Sequence, residues 1–295
     1  MQRFAHIASK LFNAPLALTP DKAEMLVAAL SQRLGLADVS VGGRRIVPMA
    51  FDQEDEGDAR AVRRDDPGYA VVSGVAVIPI RGTLVQRLGS VRPVCGMTGY
   101  DGIRLAFMRA LADTAVAGIS FDIDSPGGEV AGCFDLVDTI FAARGRKPVH
   151  ANLNECAFSA AYALATAADR ITVPRTGGTG SVGVICMHTD MSKAMERAGV
   201  SVRLITFGDR KGDGSSYAPL SDPALARFQA DVDAMGAIFV ETVARNRNMS
   251  AAAVRKTQAG TYLGAAGVEV GFADEVASPD AAFRALLNAT RKSAA

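Results

Sequence analysis

Ser159 has the residue type and the setting of a nucleophile. It stands in the segment AFSAAY, between a predicted strand at 148–153 and a predicted helix of small residues. A serine at such a turn places its hydroxyl at the N-terminus of the helix, where the helix dipole and free N–H groups favour negative charge. The same position also suits a serine that only caps the helix. The sequence therefore predicts a nucleophile or an N-cap here, and a nucleophile requires a base.

Three histidines are candidates for that base. His6 lies near the N-terminus, His150 lies inside the predicted strand before Ser159, and His188 lies between a predicted strand and a predicted helix. A histidine inside a strand is typical of packing. His188 is the histidine that could reach a cleft, so it remains an open alternative.

Lys211 is the other candidate base. It stands in the glycine-rich segment FGDRKGDGSSYAPLSD, after the predicted strand SVRLITF at 201–207. A lysine with a free pKa of roughly 10.4 is a poor base, but desolvation against apolar walls lowers the pKa into a working range. The local sequence also fits a solvated loop cation, so both interpretations stay open.

Two glycine-rich segments could support such a pair. In DSPGG at 124–128, the backbone N–H groups of Gly127 and Gly128 would point beyond the carboxyl end of a buried strand, where they could hold an oxyanion or simply form a turn. In GTGSVGVI, Ser181 enters a predicted apolar strand and could orient a neutral amine, or be a turn serine. Neither segment matches a nucleotide-binding glycine pattern.

The elements that must position these residues alternate between strand and helix. Short Val- and Ile-rich runs alternate with helical periods, which is typical of an α/β domain with a largely parallel, buried sheet. The predicted strands are 70–80, 118–124 and 148–153, and the predicted helices are 100–113, 130–143, 222–247 and one from about residue 280.

The chain divides into three parts by composition. Residues 1–45 predict a helical arm, because apolar residues recur at helical spacing after Pro20 until Gly35. Residues 46–69 predict a charged linker, with ten charged residues in the fifteen from 52 to 66. Residues 70–295 form the predicted α/β domain.

Composition excludes several classes of function. The 32 Lys and Arg residues balance 31 Asp and Glu residues, giving a net charge of +1, so nucleic acid is not an expected partner. No export signal is recognised near the N-terminus, and the low-charge apolar stretch at 156–168 is shorter than a membrane span. The four cysteines occur singly, which predicts free thiols, a reducing compartment and no zinc site. We expect a soluble cytoplasmic protein.

Taken together, these segments resemble the serine/lysine peptidases of the bacterial signal peptide peptidase A and phage prohead protease (protease C) family. The resemblance runs from about Val75 to Val276 and includes VAVIPIRGTL, DSPGG, AFSAAYALATAAD, GTGSVGVI, the lysine loop and TYLGAAGVEVGFADEV. The separations of Ser159 from Ser181 and from Lys211 also follow the family pattern.

The resemblance implies a fold and roles. The implied fold is like that of Clp protease and crotonase, with stacked ββα units and active sites completed in a homo-oligomer. The N-terminal helical arm and the C-terminal helices predicted from the sequence would flank it. Ser159 is implied as the nucleophile, Lys211 as the general base and Ser181 as the residue that holds the Lys211 amine. The N–H groups of Gly127 or Gly128 and of Ala160 are implied as the oxyanion hole. The implied reaction is peptide hydrolysis through an acyl-enzyme, without metal or cofactor.

Departures from the family pattern favour the phage branch. Signal peptide peptidases commonly have Ser-Gly-Gly-Tyr at the nucleophile, whereas this chain has Ser-Ala-Ala-Tyr at 159–162. We therefore expect a head maturation protease in a phage prohead, acting on scaffold, portal or coat proteins. The short tail predicts that any scaffold is a separate protein. The alternatives are a cytoplasmic signal-peptide or general peptide hydrolase, a catalytically silent capsid-assembly protein, and a mechanism based on His188.

Overall fold

A computed structural model of the chain describes residues 13–20, 22–23, 40–41, 44–45, 66–91 and 96–293. These residues form a mixed α/β fold. The helices, α1 to α8 in chain order, are Tyr100–Ala112, Cys133–Ala142, Ala160–Thr166, Ser192–Arg197, Asp222–Arg247, Ala251–Lys256, Ala265–Glu269 and Pro279–Ser293.

The strands form a large sheet, a smaller sheet and a short hairpin. The strands, β1 to β15 in chain order, are Pro15–Leu18, Ser40–Val41, Arg44–Arg45, Ala70–Val72, Val75–Arg81, Thr83–Val85, Met97–Gly99, Gly118–Ser125, Gly127–Glu129, Val149–Phe158, Arg170–Val173, Gly178–Gly180, Ile185–Cys186, Thr261–Leu263 and Glu275–Val276. The large sheet has the order β14-β12-β10-β8-β5-β4, with β11 also paired to β10 and β15 to β11. The smaller sheet has the order β13-β1-β9-β6-β7, and β2 pairs with β3.

The centre of the large sheet is three parallel strands, β5, β8 and β10. Their Val- and Ile-rich sequences suit strands that are covered on both faces. Ile78, Phe121 and Ile123 are fully buried in the core, where each such side chain contributes about 1.5–3 kcal/mol of burial. This rigid centre holds the carboxyl ends of β8 and β10, which lead into the DSPGG turn and Ser159.

Helix α3 packs directly on this sheet. All seven of its residues, Ala160–Thr166, are buried, and four of them are alanines. Small side chains let the helix approach β10 and α2 closely. Its largest side chain, Tyr162, donates a hydrogen bond of 3.0 Å from its hydroxyl to the carbonyl oxygen of Phe272. The start of α3, and with it Ser159, is therefore fixed by contacts on several sides.

The α/β fold class predicted from the sequence is confirmed. The predicted helices at 100–113, 130–143, 222–247 and from about 280 correspond to α1, α2, α5 and α8, and the predicted strands at 118–124 and 148–153 to β8 and β10. The single strand predicted at 70–80 is instead the hairpin of β4 and β5. The chain turns at Ser73 and Gly74, which both have positive φ.

Three local predictions were wrong. Residues 15–18 of the predicted helical arm form strand β1, because β9 and β13 offer backbone partners on both sides. Residues 201–206 form no strand and are exposed, because no described strand lies beside them. Ser181 follows the short β12 instead of opening a strand, since its positive φ of 56° ends the extended run. Most of the helix predicted after residue 20, and linker residues 46–65, lie outside the described residues.

The expectations about membrane spans and cysteines can also be compared with the structure. Within the described ranges, no helix has the length and apolar character that a membrane span requires. Cys133, Cys156 and Cys186 are free thiols, and Cys95 lies outside the described residues.

Candidate active site

Ser159 occupies a strained turn between β10 and α3. Its φ of 54° and ψ of −120° are unusual for a residue with a side chain. Its N–H donates to the carbonyl oxygen of Gly180 at 2.8 Å, and its Oγ donates to the carbonyl oxygen of Gly183 at 3.4 Å. Strain of this kind persists only where the surroundings enforce it, and it occurs most often at functional positions. The side chain is buried, with 1% of the residue exposed.

The glycine turn after β8 lies against Ser159. A Cβ placed on Gly127 would lie 3.0 Å from the Ser159 Cβ, and one placed on Gly128 would lie 1.9 Å from the carbonyl oxygen of Leu84. Only glycine fits this close approach, and Gly127 also has a φ of 102°. The Gly127 N–H donates to the Ser125 Oγ at 3.2 Å. That bond leaves Gly128 as the better oxyanion donor of the two.

Ala160 supplies a second donor beside the serine. It is the first residue of α3, so its N–H has no acceptor within the helix. It follows Ser159 directly and is fully buried. Ala160 and the Gly127–Gly128 turn therefore border Ser159 from two different elements, and their N–H groups are candidates to stabilise an oxyanion.

Ser181 leaves the sheet beside Ser159. Strand β12 runs parallel to β10, with Gly180 opposite Phe158, so the two serines follow neighbouring strand ends. The Ser181 N–H donates to the carbonyl oxygen of Gly260 at 2.9 Å. Its hydroxyl makes no hydrogen bond to a residue that the structure describes, which leaves it able to accept one from an amine.

Lys211 is not brought to the two serines. It is exposed in a loop, where its backbone N–H donates to the carbonyl oxygen of Gly208 at 3.1 Å. Among the described residues, none bonds to its amine. The following turn is held by an ion pair of 2.6 Å between Asp213 and Arg227. Within one chain, the structure therefore shows two buried serines and an exposed lysine with no described bond between them.

Neither described histidine contacts Ser159. The Nδ1 atom of His188 lies 3.1 Å from the Oδ1 atom of Asn13. His150 lies near the start of β10, at the end of the strand away from Ser159. Burial, and then the charge of Arg170, lower the pKa of His150 below its usual value. His150 is thus a packed residue, as its position in the sequence indicated.

Cys133 is the other nucleophilic side chain near the turn. Its Sγ lies 3.8 Å from the carbonyl oxygen of Ala160. Burial raises the pKa of this thiol to about 12, so it stays protonated and is a poor nucleophile. Over the described part of the chain, no three His, Cys, Asp or Glu residues cluster as metal ligands would.

Comparison with known proteins identifies the family of this chain. The model of Peptidase family S49 matches residues 142–291, which include Ser159, Ser181 and Lys211. The chain belongs to peptidase family S49. This S49 match begins after Gly127 and Gly128, so the assignment of the glycine turn to the site rests on the geometry.

Two phage proteins are close relatives of this S49 chain. The head-tail preconnector protein GP5 of Enterobacteria phage P21 is 40% identical over 93% of the chain, and the capsid assembly protease C of Escherichia phage lambda is 37% identical over 94%. The chain spans 55% and 64% of the lengths of these two relatives. A putative signal peptide peptidase SppA of Enterococcus faecium is 29% identical over 56% of the chain and 48% of that protein.

The S49 fold brings together five of the six residues singled out from the sequence. Ser159, Ser181, Ala160 and the two glycines lie at neighbouring ends of β8, β10 and β12, whereas Lys211 has no described contact with them. The sequence did not indicate Gly183, whose carbonyl accepts the Ser159 hydroxyl. It also did not indicate that Asn13 to Leu18 lie in this region. A four-residue strand carries too weak a periodic pattern to be recognised within a helical segment.

Proposed function

We propose that the chain is a serine endopeptidase with a Ser159–Lys211 dyad, and that it acts on proteins of a phage head. The observation that carries this proposal is the strained, buried Ser159 with two backbone N–H groups beside it. Family S49 membership and the names of the two phage relatives support the reaction and the class of substrate. No metal or cofactor takes part in the proposed reaction.

In the proposed reaction, Ser159 is the nucleophile, Lys211 is the base and the backbone N–H groups form the oxyanion hole. The neutral Lys211 amine takes the proton of the Ser159 hydroxyl as Oγ attacks the substrate carbonyl carbon. The N–H groups of Gly128 and Ala160 hold the resulting oxyanion. When the C–N bond breaks, Lys211 returns the proton to the leaving amine and an acyl-enzyme remains. Water then attacks the ester with Lys211 again as the base, which releases the acid and frees Ser159.

We further propose that the dyad forms between two copies of the chain. Within one chain the structure describes no bond between Lys211 and Ser159, and the segment before the lysine is apolar yet exposed. Ile205 and Phe207 are 94% and 102% exposed and belong to a run of exposed apolar side chains, a feature typical of interaction sites. Val200 and Val202 line a cavity of about 360 Å³ next to α4. Packing of residues 200–207 on a second copy would bury these side chains and carry Lys211 to the other copy's serines.

Cleavage assays with paired variants test this function. The substrates are the scaffold, portal and coat proteins of the phage or prophage that encodes the chain, together with a general peptide panel. Ser159→Ala and Lys211→Ala are each expected to be inactive, and His188→Ala to cleave. Wild-type activity should rise with pH as an amine loses its proton. Inactivity of His188→Ala, with activity in Lys211→Ala, would assign the base to the histidine.

Mixing the inactive variants tests the shared site. Ser159→Ala supplies an intact Lys211, and Lys211→Ala supplies an intact Ser159. If the dyad forms between copies, mixed oligomers regain part of the wild-type rate, about a quarter to a half. If each chain forms its own dyad, the mixture stays inactive. Absence of cleavage by folded wild-type protein on every substrate would favour a structural role in the capsid.

A further inference from the structure

Strand β1 lies in the smaller sheet between β9, which carries the two glycines, and β13. It pairs antiparallel with both: Ala17 is opposite Gly128, and Leu16 is opposite Ile185. Leu16, Ala17 and Leu18 are all nearly fully buried. An N-terminal segment of the chain is therefore an inner strand beside the catalytic serine.

The register directs the Ala17 carbonyl at the proposed oxyanion donor. The Thr19 N–H donates to the carbonyl oxygen of Pro126 at 3.2 Å, and the Val130 N–H donates to that of Pro15 at 3.4 Å. Hydrogen-bonded pairs alternate along an antiparallel ladder, so Ala17 and Gly128, midway between these two bonds, form the next such pair. The Gly128 N–H is thus occupied by Ala17.

The same carbonyl lies close to Ser159. The position of a Cβ on Gly127 is 2.2 Å from the Ala17 carbonyl oxygen and 3.0 Å from the Ser159 Cβ. Both atoms therefore border the space beside Gly127, so β1 lies next to the position from which a substrate carbonyl would reach Ser159. A peptide cannot enter there while β1 is in place.

Asn13 ties β1 to the other elements of the site. Its backbone N–H donates to the carbonyl oxygen of Met187 at 2.8 Å, and its side-chain amide donates to that of Gly214 at 2.7 Å. Gly214 belongs to the loop that carries Lys211. The segment thus contacts the glycine turn, the strand before His188 and the lysine loop at once.

We propose that β1 is an internal competitor that occupies the substrate-strand position between β9 and β13. The proposal rests on the proposed peptidase function and adds its regulation and the shape of its substrate. A substrate would enter as an extended segment after β1 leaves, pairing its backbone with β9 and β13. It would place a small side chain where Ala17 lies, with apolar side chains on either side. A four-residue strand makes few backbone bonds, so a substrate can displace it.

A reversible disulfide between β1 and β9 tests the proposal in the full chain. Leu16 and Glu129 form a non-hydrogen-bonded pair, whose Cα atoms are typically about 4.5 Å apart, within the range of a disulfide. We expect oxidised Leu16→Cys/Glu129→Cys to cleave at least tenfold more slowly than the reduced form, with recovery on reduction. The two single variants are the controls and should not respond to oxidant. Leu16→Cys alone also reports any capture by the native Cys186.

A binding measurement separates this proposal from the proposed function. The probe is a fluorescent synthetic peptide, NAPLALTP, with the sequence of residues 13–20. We expect it to bind the reduced double variant and to be excluded from the oxidised one. Such binding without cleavage by either form would support occlusion and overturn the peptidase function. Cleavage and binding that are equal in both forms, with the disulfide verified by mass spectrometry, would overturn occlusion and leave the function intact. Neither binding nor cleavage in either form would overturn both.

Discussion

The backbone N–H of Ser159 donates to the carbonyl oxygen of Gly180, the residue directly before Ser181, at 2.8 Å. This bond joins two neighbouring chain reversals, since both serines have positive φ. The proposed nucleophile and the proposed amine-holding serine are therefore positioned by one piece of backbone. A change to this backbone should affect both residues together.

The glycine turn tolerates no side chain at residue 128. Gly128→Ala should lower the free energy of unfolding by about 2–4 kcal/mol and abolish cleavage, because its Cβ would meet the Leu84 carbonyl. Urea unfolding and the cleavage assay measure the two effects. Gly236→Ala is the matched control: it lies within α5 with open space around it, so alanine should stabilise the helix by about 0.5–1 kcal/mol. Equal stability of wild type and Gly128→Ala would contradict the close approach.

The Tyr162 hydroxyl should contribute to stability. Tyr162→Phe leaves the carbonyl of Phe272 without this donor in a buried setting, so we expect a loss of about 1–3 kcal/mol in urea unfolding. Tyr217→Phe, at a largely exposed tyrosine, should change stability by less than about 0.5 kcal/mol. Similar losses in the two variants would show that the buried bond is not what stabilises α3.

His150 should make stability depend on pH. Burial and then Arg170 lower its folded-state pKa, against the weaker opposing effects of Asp169 and Asp274. The unfolded chain therefore takes up a proton at a higher pH than the folded one. The free energy of unfolding should fall as pH drops below about 6.5, the usual histidine pKa.

His150→Gln removes this titration. Its unfolding free energy should decline less steeply than that of wild type between pH 7 and pH 5, while the difference between the two proteins stays constant above pH 7.5. Urea unfolding at a series of pH values gives both slopes. Parallel curves throughout would assign the pH dependence to other groups.

The exposed apolar segment before Lys211 should drive assembly. Phe207→Asp places a charge where the proposed packing on a second copy requires an apolar side chain, so it should shift sedimentation towards the monomer and lower the cleavage rate at least tenfold. Leu105→Asp, at a half-exposed leucine on α1, should leave both unchanged. An unchanged oligomer in Phe207→Asp would remove the basis for a shared dyad.

The sequence predicted the core better than the site. The hydrophobic periodicity of strands such as β8 and helices such as α5 is strong enough to predict these elements from the sequence. Residues 201–206 have the composition of a strand, yet a strand also requires a neighbour, and none of the described elements provides one. Strand β1, by contrast, is a strand that the local sequence did not predict. Its pairing with β9 and β13 depends on partners more than 100 residues away, which local pattern does not reveal.

Local sequence pattern was likewise insufficient to predict every feature of the proposed catalytic site. The turn residues Gly127, Gly128 and Ser159 could be singled out because their types fit the ends of predicted strands. The exposed position of Lys211 could not be predicted, because a linear spacing does not say which surface a loop faces. Gly183 contributes a backbone carbonyl, which any residue type would provide, so its identity left no signal in the sequence.

The bond from Tyr162 to Phe272 spans 110 residues of chain. The Ser181 N–H likewise requires Gly260, so the surroundings of both serines are completed by residues that come much later in the sequence. On a ribosome, the serine turn would emerge long before the residues that hold it in shape. Until those later residues have been made, the proposed nucleophile would lack the contacts that hold its turn in shape.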